Sequence, residues 1–91
     1  MPQRREVIDE RLKKLDEVIT VLGQLQGLDG VALRADPLKL YTAERGLQVA
    51  IECILDIGSH LIAVAGWRRP KEYADVIRIL AEQSVIPTSF A

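Results

Sequence analysis

The sequence is poor in several residue types on which whole classes of function depend. It has one cysteine, Cys53, one histidine, His60, and one tryptophan, Trp67. A single cysteine cannot make an internal disulfide, and a lone thiol fits a reducing compartment, so a cytoplasmic location is expected. Aromatic residues are 4% of the chain against 48% hydrophobic residues, so the core must be built from Leu, Ile, Val and Ala. An excess of one charge is missing too: 12 Lys and Arg against 13 Asp and Glu leave a formal −1. That balance excludes a chain held on nucleic acid by bulk positive charge, while a local basic patch stays open. No apolar run approaches the roughly 18 residues of a membrane span, and no apolar core follows the N-terminal cations, so no membrane partner is expected. There is no Gly-rich phosphate loop, no paired-Cys or Cys/His zinc spacing and no His-Glu-x-x-His, so no cofactor is expected.

What is present is helical periodicity in 91 residues, one small domain. Ile8, Leu12, Leu15, Ile19 and Leu22 recur at helical spacing and predict a first helix over 3–26. Asp36 followed by Pro37 is a start signal, a capping oxygen before a pre-set φ, and Gly66 is a stop. The second helix is therefore expected from Pro37 to Ala65, with a short turn before it through Val31 and Leu33. It is apolar over most of its circumference, which marks a central helix, and Gly46 and Gly58 within it suit close approach of other helices. A third helix is expected from Pro70 to about Gln83, with Tyr73, Ala74, Ile77, Leu80 and Ala81 facing inward. Pro87 reads as the first turn of a fourth, ending at Ala91. The expected fold is all-α, an up-down bundle of three long helices plus the start of a fourth, completed by oligomerisation.

One polar line crosses the apolar second helix. Arg45, Gln48, Glu52, Asp56 and His60 are spaced 3, 4, 4 and 4, so they share a narrow face. Three readings stand side by side. Glu52, Asp56 and His60 suit a metal, although the outer two lie about 12 Å apart along the axis, too far to share one ion easily. The line could instead be a buried polar seam in a dimer, with Arg45 and His60 paired to the other chain's carboxylates. It could also be a solvated stripe. Cys53 lies among Ile51, Ile54 and Leu55 and reads as a small buried hydrophobe; its pairing with His60 lacks an orienting third group. The turn holding Trp67, Arg68, Arg69, Pro70 and Lys71 offers cations and a stacking face to phosphate or an acidic partner. Alternatively, Arg68 and Arg69 complement the negative end of the second helix while Trp67 packs across the turn.

The same residues carry a family resemblance. The run from Tyr41 through Glu44-Arg45-Gly46, Glu52, Asp56 and Gly58 to His60 resembles the central helix of the HepT-like family of the HEPN superfamily. The stretch Arg68-Arg69-Pro70-Lys71-Glu72-Tyr73 onward to Glu82, then Val85-Ile86-Pro87, follows that family's order, as does the opening Ile8, Arg11, Leu12 and Leu15. The resemblance implies a dimerising helical bundle, the toxin half of a bacterial or archaeal toxin–antitoxin pair whose antitoxin is a minimal nucleotidyltransferase. Active members are metal-independent ribonucleases with an Arg, four to six residues, then a His. Here the only histidine is His60, and its nearest upstream arginine is Arg45. No catalytic residue is therefore carried over, and residues 1–91 are expected to be one HepT-like domain lacking the family's C-terminal helices. The polar line from Arg45 to His60 would support a site in the dimer cleft. Two origins of the missing end stay open, a piece of a longer toxin and a natural shortened product; Thr88-Ser89-Phe90-Ala91 does not continue the family pattern, which mildly favours a natural frameshift or early stop. A non-catalytic helical module that binds RNA or a protein through Trp67, Arg68, Arg69 and Lys71 is the alternative.

Overall fold

The computed structural model describes residues 4–90, so Gln3 and Ala91, the expected start of the first helix and end of the fourth, lie outside the described residues. Among the described residues every regular element is helical: α1 Arg4–Gly23, α2 Gly30–Ala35, α3 Pro37–Ala65, α4 Tyr73–Glu82, and a closing 3₁₀ turn Thr88–Phe90. The all-α bundle follows from the periodicity.

The expected second helix is α3, with both ends where the sequence sets them. Asp36 holds an extended conformation, and its Oδ1 accepts the Lys39 N–H at 3.3 Å, with Pro37 in the first turn. At the other end Gly66 takes φ +73°, and the Trp67 N–H reaches back to the Ile62 carbonyl at 3.2 Å. The anticipated turn through Val31 and Leu33 is a six-residue helix, capped by Asp29, whose Oδ1 accepts the Ala32 N–H at 2.8 Å. α1 ends at Gly23, earlier than expected, because successive tight turns to the carbonyls of Val21, Leu22 and Gly23 carry the chain to Gly27 at φ +89°.

α4 departs furthest from expectation. Pro70 does not open it; the helix begins at Tyr73 after an extended Glu72. Tyr73 and Ala74 are exposed and Ile77 is half-buried, while Val76, Ile79, Leu80 and Ala81 are buried together with Asp75. The cause is a rotation of the inner face. Gly58 of α3 lets Val76 and Leu80 nest where a side chain would stand, and Asp75 is drawn inward by groups described below. Ile62, Val76, Ile79 and Leu80 form the core, with Leu55, Trp67 and Ile86 packed against it.

α1, α2 and α4 each pack on α3 and not on one another. The radius of gyration, 15.6 Å, exceeds the roughly 12 Å of a compact domain of this length. α3 is central but poorly covered: only Cys53, Gly58 and Ile62 are buried in it, while Leu47, Ile51, Ile54 and Leu61 are exposed along one side. By length and composition alone α3 is long and apolar enough to cross a membrane, where no apolar stretch of that length was expected. Glu52 and Asp56 are the only charges along its apolar C-terminal two thirds, and the central helix of a helical bundle has the same length and composition.

Candidate functional site: a groove over the polar line of α3

Because α1 and α4 flank α3 without meeting, an open groove of about 920 Å³ runs between them. α1 contributes Arg11, Lys14, Glu17, Val18 and Val21, and α3 contributes Tyr41, Arg45, Val49, Glu52, Cys53, Asp56 and Ser59. Tyr73 of α4 completes it. Gly46 lies in its lining, and a Cβ there would stand 2.6 Å from Cδ2 of Leu22, so any larger residue at this position requires the Leu22 side chain to turn aside.

The structure distributes the five polar residues unequally. Arg45 Nη1 donates to Oε1 of Gln48 at 3.3 Å, and both are exposed. With Tyr41 and Glu44 they line a second, smaller cavity of about 370 Å³. Glu52 faces the main groove and is exposed. Asp56 is the best connected: its Oδ2 accepts from Arg11 Nε at 2.6 Å, and its Oδ1 lies 3.7 Å from Nε2 of His60. His60 is half-buried and does not line the groove. The Asp56 hydrogen bond, seconded by its charge, raises the pKa of Arg11, so the guanidinium is a fixed positive charge on α1. Among the described residues no three His, Cys, Asp or Glu side chains converge to hold a metal, which leaves the metal reading of Glu52, Asp56 and His60 without support. Cys53 is buried, as a small hydrophobe should be.

The basic turn is not one surface. Trp67 is half-buried against the core. Arg68 is committed to α4: Nε and Nη2 donate to Glu82 at 3.2 and 2.8 Å, and Nη1 and Nη2 donate to Asp75 at 3.2 and 3.4 Å. Asp75 Oδ2 also accepts the Lys71 N–H at 3.0 Å, and Arg78 adds a contact at 3.5 Å. The Lys71 N–H first, then Arg68, hold the Asp75 carboxyl below the usual carboxylate range, and Arg68 does the same for Glu82. In return Glu82 and Asp75 push the Arg68 pKa further up. Arg68 thus answers carboxylates of α4, not the carbonyl end of α3 as the helix-end reading expects. Arg69 and Lys71 remain exposed.

Sequence reasoning passed over Arg11, Lys14, Tyr41 and Tyr73 as groove residues. For α1 a signal existed: Arg11, Lys14, Val18 and Val21 are spaced 3, 4 and 3, one edge of the helix beside its apolar stripe. No curated protein and no solved structure matches the chain. A family model described as ribonuclease HepT-like matches residues 8–91, nearly the whole length, and the chain therefore belongs to the HepT-like family.

Proposed function

We propose that this HEPN-type toxin-family module works as the toxin-side subunit of a bacterial or archaeal toxin–antitoxin pair, and that the 91-residue chain does not itself cleave RNA. In this reading it is cytoplasmic, associates as a homodimer or higher oligomer, and is held by a nucleotidyltransferase antitoxin. The observation that carries the reading is the family match over residues 8–91. The reading of inactivity rests on His60, the only histidine, whose fifth to seventh preceding residues are Leu55, Ile54 and Cys53, with no arginine among them.

Self-association is supported by the open side of α3. Leu47, Ile51, Ile54 and Leu61 are 37–56% exposed and lie outside the groove. Leu12 and Ile19, seven residues apart on α1, add a second exposed apolar pair. A stable interface takes roughly 800 Å² from each partner with an apolar centre, and such stripes provide one. This shifts the expected dimer contact from the polar line to the apolar stripe.

Purified chain incubated with total RNA, with and without chelator, should give no cleavage; robust cleavage would overturn the inactivity. Sedimentation should show a dimer or larger species at tens of micromolar, and Ile51→Lys should dissociate it. A clean monomer for the unaltered chain would refute the association.

A further inference from the structure

We draw no further inference here: the strongest candidate, the open groove of about 920 Å³ between α1 and the start of α4, is edged by charges of both signs that would complement many different occupants, and nothing in the structure shows what covers it.

Discussion

Adding one methyl group to Gly58 tests the packing of α3 on α4 more sharply than deleting a core side chain. A Cβ there would lie 2.7 Å from Val76 Cγ1 and 3.1 Å from Leu80 Cδ1. Carbon atoms rest at about 3.5–4.0 Å, so α4 would have to retreat by about 1 Å. Val76 cannot turn away: it is 2% exposed, and a helical valine has essentially one χ1 rotamer. Overpacking of this kind costs about 1–3 kcal/mol, and the rigid neighbours place it in the upper half. Replacing a helical glycine by alanine returns about 1 kcal/mol. Gly58→Ala should therefore destabilise by about 1–2 kcal/mol, a fall in Tm of roughly 5–15 °C for a chain of this size. Gly46→Ala is the matched control. Its Cβ meets Leu22 at 2.6 Å, but Leu22 is half-buried in the last turn of α1 and can swing. The propensity gain should then leave that variant within about 1 kcal/mol of the parent. Urea denaturation followed by far-UV circular dichroism measures both. In the double-mutant cycle Val76→Ala should relieve Gly58→Ala, so the pair should cost less than the sum. Equal losses at the two glycines, or strict additivity with Val76→Ala, would refute the close-approach account.

Ile79 is fully buried, so Ile79→Ala should cost about 2–5 kcal/mol in the same urea assay. Asp36 ends α2 and caps α3, and Asp36→Ala should lose about 1 kcal/mol, read as a lower denaturation midpoint. The carboxyl pKa values of Asp75 and Glu82 are lower in the folded chain than in the unfolded one. Their stabilisation is therefore complete above the ordinary carboxylate value near 4 and is lost as pH falls through the lower folded values. Arg68→Met should be less stable than the parent at neutral pH, with the difference closing below about pH 4. Parallel stability curves across that range would show that Arg68 does not act through the two carboxylates.

The bounds of α3 were legible because Asp36, Pro37 and Gly66 are chemically definite: a side-chain acceptor, a fixed φ and a residue that tolerates positive φ. The roles of Gly46 and Gly58 were legible for the same reason, since a glycine inside a strong helix asks for a neighbour. Pro70 carried a similar signal and misled, because the turn it stands in is held by Arg68 and Asp75, residues on either side of it. A carboxylate in the first turn of a helix reads as solvent-facing. Nothing local shows that Asp75 is buried by a guanidinium seven residues earlier. The polar line was visible as spacing, but what it faces was not. Arg11 reaches Asp56 from 45 residues away, and that pairing follows from how α1 lies on α3.

α1 and α4 share a support and almost nothing else. Their opening reactions should accordingly be separate, with amides of α4 exchanging hydrogen without those of α1 following. Anything seated between the two would touch both, and would bind them into a single cooperative unit that the isolated chain lacks. The architecture is in this sense two clasps on one rod, and the strength of their coupling is left to whatever occupies the space between them.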